Sequence, residues 1–286
     1  MPELPEVETI RLGLQKYLVG HKIIDIKILN PKSFEGSPKQ IINIEIILIR
    51  RFGKGLVIDF ANKKSLAIHV KMTGQLIYKS KNIKSEIDKT KVGELPGKHT
   101  RIIFELDPPA GSVGKNAVLY FNDMSKFGWM KIVDSNKVED LSFFKNLGPE
   151  PFRDLTEEKF ISIVSGSKLA IKPLIMDQKK IAGVGNIYAC DALFLAKINP
   201  KRKANTLSEK EQKLLFESIL KVMEKSLKLG GSSEKNYVNV LGSTGSYQRH
   251  TLVYNKKNEE CSRCDTKIKR SVIGGRGTFF CSTCQK

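Results

Sequence analysis

Acidic residues are scarce in this chain. Its 286 residues include 30 Asp and Glu against 49 Lys and Arg, a formal charge of +19. An excess of that size asks for a polyanion. Nucleic acid is the first candidate, because neutralising phosphates releases counterions and gives affinity without reading bases. A lysine-rich proteome would produce the same number with no partner. Long apolar runs are missing too. The greasiest, IINIEIILI at 41–49, is broken by Glu45 and falls short of the ~20 residues a spanning helix needs. The N-terminus is acidic and lacks an apolar core, so no secretory signal is expected. These absences predict a soluble cytoplasmic protein with no membrane partner. Cysteine is sparse: of five residues, four form two CxxC pairs. That suits a metal site in a reducing compartment better than a disulfide framework. There is no internal repeat and no long low-complexity tract. With 40% hydrophobic residues, the length suits two compact units and a small appendix.

What is present begins with a helix. After Pro5, residues Val7, Ile10, Leu14 and Leu18 fall at helical spacing, with Pro5 near the first turn and Gly20 as the stop. From 22 to 130 the period becomes two. Ile24, Ile26 and Ile28 alternate, as do Ile42, Ile44, Ile46 and Leu48, and GLVIDF, SLAIHV, RIIFEL and AVLYF follow as strand-like runs. Turn-rich or lysine-rich breaks at 30–39, 79–98 and 107–116 separate them. The pattern predicts a mostly antiparallel β-sandwich carrying one N-terminal helix. LGPEP at 147–151 is a stiff break, and beyond it the period is helical. Asp154 with Glu157 reads as a cap for EEKFISIV, and Ser208 with Glu211 as a capping box for a long helix. Phe216, Ile219, Leu220, Met223 and Leu227 give that helix an apolar core stripe, ended by Gly230-Gly231. The expected fold class is α+β and multidomain, divided as 1–146, 147–245 and 246–286.

The strongest local signal is at the end. CSRC at 261–264 and CSTC at 281–284 are sixteen residues apart. Four thiolates at Cys261, Cys264, Cys281 and Cys284 suit one tetrahedral Zn²⁺. Between them KIKRSVIGGRGTFF reads as strand, Gly-Gly turn, strand, a zinc hairpin that in many proteins only staples a fold. Arg276 sits among its glycines, where backbone approaches closely and a guanidinium makes a good phosphate ligand. Cys190 stands alone in a helical stretch and reads as a small core residue. GVGNIYA at 183–189 has the form of a phosphate cradle, glycines leading into a helix N-terminus with Asn186 at its tip. Alone it is equally a tight turn, and no βαβ unit precedes it to make a dinucleotide site.

The chain starts MPELPEVETI. Removal of Met1 would leave Pro2 with a free secondary amine, and an α-amino group titrates near ~8 against ~10.4 for lysine. Part of it is then unprotonated and nucleophilic at neutral pH. Attack on a sugar C1′ gives an iminium, an electron sink. Glu3 is placed to move protons, and burial raises a carboxyl's pKa toward the working range. The competing reading is that Pro2 and Pro5 only stiffen a helix start.

Taken in order, PELPEVET, Gly53-Lys54, HVKMTG at 69–74, LGPEP, AIKP at 170–173, GVGNIYA and the CxxC…CxxC end with its arginine resemble the formamidopyrimidine-DNA glycosylase family of base-excision repair, related to endonuclease VIII. The resemblance runs from residue 2 to 286. It implies a bifunctional glycosylase/AP lyase that excises oxidised purines, 8-oxoguanine and formamidopyrimidines. It implies Pro2 as nucleophile, Glu3 as acid/base, Glu6 in support and Lys54 on phosphate and chemistry. His69, Lys172, Asn186 and Arg276 would be DNA ligands, with Arg276 also gripping the backbone at the lesion. Met72 and Phe127 would fill the gap left by the extruded base, with Lys126 beside them, and 234–247 would be a mobile loop over that base. A helix-two-turn-helix unit, a structural zinc, damaged duplex DNA as partner and a monomer are implied too. Read alone, Lys54 is an ordinary turn lysine, His69 a satisfied strand histidine and Met72 a core residue.

One position departs from the family pattern. Ser125, in Asp123-Met124-Ser125-Lys126-Phe127-Gly128, stands where the family has an arginine that contacts the widowed cytosine. A serine is too short to reach that base and has no guanidinium fork. Weaker opposite-base discrimination is expected. The rivals are an endonuclease VIII-like activity on oxidised pyrimidines and a DNA-binding relative that does not cleave.

Overall fold

The computed structural model describes residues 1–286 apart from 82, 84, 85 and 109–116. Helix α1, Leu4–Leu18, carries Pro5 in its first turn, where no intrahelical N–H bond is lost. Val7, Ile10, Leu14 and Leu18 form its buried face. Gly20 then adopts a φ of +89°, and its N–H reaches Ile46 O at 2.9 Å, turning the chain toward the sheets.

The strands that follow are β1 (Ile23–Ile28), β2 (Phe34–Glu35), β3 (Ile46–Phe52), β4 (Gly55–Phe60), β5 (Lys64–His69) and β6 (Gly74–Lys79). After helix α2 (Lys89–Val92) come β7 (Thr100–Leu106), β8 (Ala117–Asp123), β9 (Trp129–Asp134) and the short helix α3 (Ser142–Lys145). They make a four-stranded sheet, β1-β7-β8-β6, and a five-stranded one, β2-β9-β5-β4-β3. All pairings are antiparallel except β2 with β9. Ile26, Phe104 and Phe121 of one sheet share a core with Ile58, Leu66 and Ile132 of the other and with Ile10 and Leu14 of α1. This is the expected sandwich with its N-terminal helix.

Two expected alternations do not survive. Asn43 has a φ of +60° and β3 starts only at Ile46. A bulge between Ile46 and Leu48 then buries Ile49 and leaves Leu48 44% exposed. A bulge adds one residue to one strand, so the apolar set changes face. β1 carries a similar shift between Ile23 and Asp25, which buries Ile23 and Ile26 rather than the Ile24, Ile26, Ile28 series. The lysine-rich break at 79–98 contains α2, capped by Asp88, whose carboxylate accepts from Thr90 N at 2.9 Å. Of the break expected at 107–116, residues 109–116 lie outside the described residues.

Further along are α4 (Glu157–Ser165), α5 (Ile171–Met176), α6 (Asn186–Leu195), α7 (Glu209–Lys228) and the hairpin β10 (Lys269–Ile273) with β11 (Arg276–Phe280). The cap of α4 is Thr156, whose hydroxyl accepts from Lys159 N, and not Asp154, which instead accepts from Glu150 N at 2.8 Å. The Ser208–Glu211 box is formed: Glu211 accepts from Ser208 N at 2.8 Å and Ser208 Oγ from Glu211 N at 3.4 Å. The buried stripe of α7 is centred on Leu215, Ile219, Val222 and Met223, so Phe216, Leu220 and Leu227 flank it half-buried. The chain groups into two compact units, Met1–Lys145 with Leu229–Gln248, and Asn146–Lys228 with Arg249–Lys286. No helix of the described residues is long and apolar enough to cross a membrane.

Candidate active site

The first turn of α1 brings three of the expected residues together. Pro2 is buried, Glu3 is 4% exposed and Glu6 is 1% exposed. Glu3 and Glu6 cap each other: the Glu3 carboxylate accepts from Glu6 N–H, and Glu6 Oε2 accepts from Glu3 N–H at 2.7 Å. Glu6 Oε1 also accepts from Ser232 N at 2.8 Å. Both carboxylates are thus fixed beside the start of the chain. The terminal amine, here that of Met1, has a pKa lowered from its ordinary 8.0, chiefly by burial. Glu3 and Glu6 oppose that fall, and Lys235 and Lys54 reinforce it. An amine kept partly neutral, two carboxylates and a lysine therefore act on one another at one place.

Lys54 comes to this centre on the two-residue turn Gly53-Lys54 between β3 and β4, where Gly53 has a φ of +56°. The turn is tied down by Arg51, which donates to Gly53 O at 3.0 Å and to Glu8 Oε2 of α1 at 2.8 Å. Burial pushes the Glu8 carboxyl up, but hydrogen bonds from Arg11 and Arg51 outweigh it and hold the group below its usual range. Sequence reasoning passed over Glu8 and Arg51. The only signal was the paired arginine in RRFGKG.

His69 ends β5 and is 3% exposed. Its Nδ1 accepts from Lys71 N at 2.8 Å, so the neutral ring carries its proton on Nε2. Phe143 meets the ring edge-on at 4.4 Å and Trp129 lies at 6.1 Å. Burial, then Lys71 and Lys54, pull its pKa down to about 3. A neutral N–H donor is what remains for an anion.

Two turns join the sheets at one end of the sandwich, since Gly74 pairs with Asp123 and His69 with Trp129. Met72 is 45% exposed on one turn, and Met124 and Phe127 are 51% and 69% exposed on the other. Buried Asp123 organises both. Its carboxylate accepts from Thr73 Oγ1, from Ser125 N at 3.1 Å, from Ser125 Oγ at 2.9 Å and from Gly128 N at 2.7 Å. Ser125 is thus occupied with its own turn. Lys126, exposed with a φ of +60°, stands between it and Phe127.

In the second unit, α6 opens at Asn186 behind Gly185. Lys172, 0% exposed, donates to Asn186 Oδ1 at 2.6 Å, and Asn186 Nδ2 donates to Gly277 O at 2.9 Å. Asn186 therefore joins the helix N-terminus to β11 beside the exposed Arg276. Asp191 of α6, fully buried, accepts from the backbone N–H of Leu252, Val253 and Tyr254 at 3.0–3.1 Å and anchors the chain leading to the hairpin. Gly274 and Gly275, with φ of +57° and +72°, make the expected tight turn between β10 and β11. The four sulfurs of Cys261, Cys264, Cys281 and Cys284 lie within 4.8 Å of one another. Cys261 to Cys284 is 3.9 Å and Cys264 to Cys281 is 3.4 Å. Zn–S bonds of ~2.3 Å in a tetrahedron put sulfurs ~3.8 Å apart, so the set fits one structural zinc.

Three family models match in sequence order. They are the formamidopyrimidine-DNA glycosylase N-terminal domain at residues 1–130, the formamidopyrimidine-DNA glycosylase H2TH domain at 147–238, and the zinc finger found in FPG and IleRS at 258–286. The chain is similar to a formamidopyrimidine-DNA glycosylase of Pelotomaculum thermopropionicum, 36% identical over 293 residues that cover 100% of this chain and 99% of the relative. Among solved structures, it resembles wild-type Lactococcus lactis Fpg with N7-benzyl-Fapy-dG-containing DNA (TM-score 0.85, 35% identity, 100% of both chains). It also resembles Lactococcus lactis Fpg with DNA containing an abasic site (TM-score 0.84, 34% identity, 99% of both chains).

Proposed function

Because this chain belongs to the formamidopyrimidine-DNA glycosylase family and is a DNA glycosylase acting on damaged DNA, we propose that it excises oxidised purines, 8-oxoguanine and formamidopyrimidines, and then cleaves the abasic strand. The observation that carries this reading is the start of the chain, where Pro2 is buried next to buried Glu3 and Glu6, and the terminal amine is under the electrostatic influence of Glu3, Glu6 and Lys54. Processing removes Met1 and gives that place to the secondary amine of Pro2. Its lone pair bonds to C1′ while the glycosidic pair leaves with the base, which takes up a proton. Glu3 moves protons at the sugar, held by its bonds to Glu6. The Pro2 nitrogen gives up its proton and its lone pair then opens the C1′–O4′ bond, whose electrons go to O4′ with a proton, leaving an iminium. The iminium accepts the electrons when C2′ loses a proton, and β- then δ-elimination expels the 3′ and 5′ phosphates. Flipping the base costs a few kcal/mol, least when it is damaged.

Lys54 and the neutral Nε2–H of His69 are donors for phosphate in the first unit, and Asn186 and Arg276 in the second. Lys172 acts from behind Asn186 rather than on DNA itself. Met72 and Phe127 offer the apolar surface that replaces the extruded base. Zinc holds the hairpin, since four thiolates leave no open position for water.

A lesion panel with borohydride trapping tests the reading. We expect excision of 8-oxoguanine and formamidopyrimidines ahead of thymine glycol, with a covalent adduct on abasic DNA. Preference for thymine glycol would move the substrate class to oxidised pyrimidines. Absence of any adduct would favour a binder that does not cleave.

A further inference from the structure

After α7 the segment Leu229–Gln248 returns to the first unit. It reaches the reaction centre directly, because Ser232 N–H holds Glu6 at 2.8 Å and Tyr237, buried, donates to Gly230 O at 3.1 Å. The base of the loop is closed backbone on backbone: a Cβ on Gly245 would come within 2.2 Å of Gly231 O. Ser233, buried like Ser232, is tied within the loop, its N–H donating to Gln248 Oε1 at 2.9 Å and its hydroxyl to Tyr237 O at 2.8 Å, while the tip, Glu234-Lys235, is exposed and has little apolar surface with which to hold itself.

A second segment adds bonds to the backbone around that tip. Lys91 of α2 donates through Nζ to the carbonyl of Ser233 at 3.0 Å and to that of Lys235. Gln75 of β6, 4% exposed, donates to Lys91 O at 3.1 Å and to Asn236 O at 2.6 Å. Further along, Asp88 N–H donates to Gly242 O at 3.0 Å and Ser243 Oγ to Glu86 O at 3.2 Å. An ammonium has three donors and no acceptor, and suits a clip on converging carbonyls.

We infer that Lys91 is a positioning residue, whose ammonium clips the 233–235 backbone so that Ser232 N–H keeps the Glu6 carboxylate, and through it Glu3, in working geometry. The path runs through contiguous hydrogen bonds, Lys91 to the loop, loop to Glu6, Glu6 to Glu3 N–H. The inference rests on the function proposed above. It also separates Lys91 from the many lysines of this basic chain that DNA phosphates would attract, since its protons point at carbonyls.

The test compares wild type with Lys91→Met and Lys91→Arg. Three readouts are needed: single-turnover cleavage of abasic DNA at saturating enzyme, the salt dependence of DNA binding, and amide hydrogen exchange over 232–238. Lys91→Met is expected to slow cleavage roughly tenfold, the scale of losing hydrogen bonds from a charged donor. It should speed exchange in the loop and leave the salt slope unchanged. Lys91→Arg, which keeps a cationic donor, should restore most of the rate. Unchanged cleavage, or a salt slope smaller by one phosphate, overturns the inference. So does unchanged loop exchange, a readout that needs no catalysis and is therefore independent of the proposed activity. Wild type that cannot cleave abasic DNA refutes the activity itself.

Discussion

At residue scale, Ser125 shows how a short side chain changes what a turn can do. Its hydroxyl and N–H both serve Asp123, and its N–H also meets Thr73 Oγ1 at 2.9 Å. Nothing of it is left to reach an opposing base. Ser125→Arg should sharpen preference for cytosine opposite the lesion, since one bidentate base contact is worth ~1–3 kcal/mol. Excision rates against the four opposite bases check this, and an unchanged profile would assign the reading of that base elsewhere. His69 carries a cost on the acid side. Its folded pKa, about 3, lies below the ordinary 6.5, so between those values the unfolded chain binds a proton that the folded one refuses. Stability therefore falls as pH drops through that window. His69→Gln should make the decline of Tm between about pH 6 and pH 4 shallower, and parallel profiles for the two proteins would contradict the burial argument.

At the scale of elements, legibility followed the range of the interactions. The zinc hairpin was plain because two CxxC pairs and a Gly-Gly turn are local features, and Cys264→Ser should release the metal and unravel the hairpin. Structural zinc contributes on the order of 10 kcal/mol at such sites. Metal content by mass spectrometry and DNA affinity check it, and full affinity in a zinc-free variant would contradict it. Helix α1 was equally legible, from Pro5 to Gly20. β3 was not, because a bulge changes face inside the apolar stretch IILI at 46–49 and no residue type marks it. The cap of α4 was misplaced by two residues, since Asp154 and Thr156 are both good caps and only the backbone bond to Lys159 decides. Within the candidate site, the residues proposed to carry the chemistry are the ones that stand in motifs. Those that hold them do not: Arg51 meets Glu8 across 43 residues, and Lys91 meets Ser233 across 142.

For the molecule as a whole, a charge of +19 gives general attraction to a polyanion, and the proposed reaction is assigned to one small part of it, the first turn of α1 and what surrounds it. The segment 229–248 matters at this scale. A stretch distant in sequence returns to complete a centre begun by the first turn of α1. The family, the fold and the zinc site agree, and the step on which the proposed chemistry depends is the exposure of the Pro2 nitrogen after Met1 is lost. Peptide mapping by mass spectrometry of the borohydride-reduced complex with abasic DNA tests it most directly. The account predicts the sugar fragment on the α-nitrogen of a peptide that begins at Pro2. An adduct on Lys54 or another lysine, or a fully active protein that still carries Met1, would contradict it.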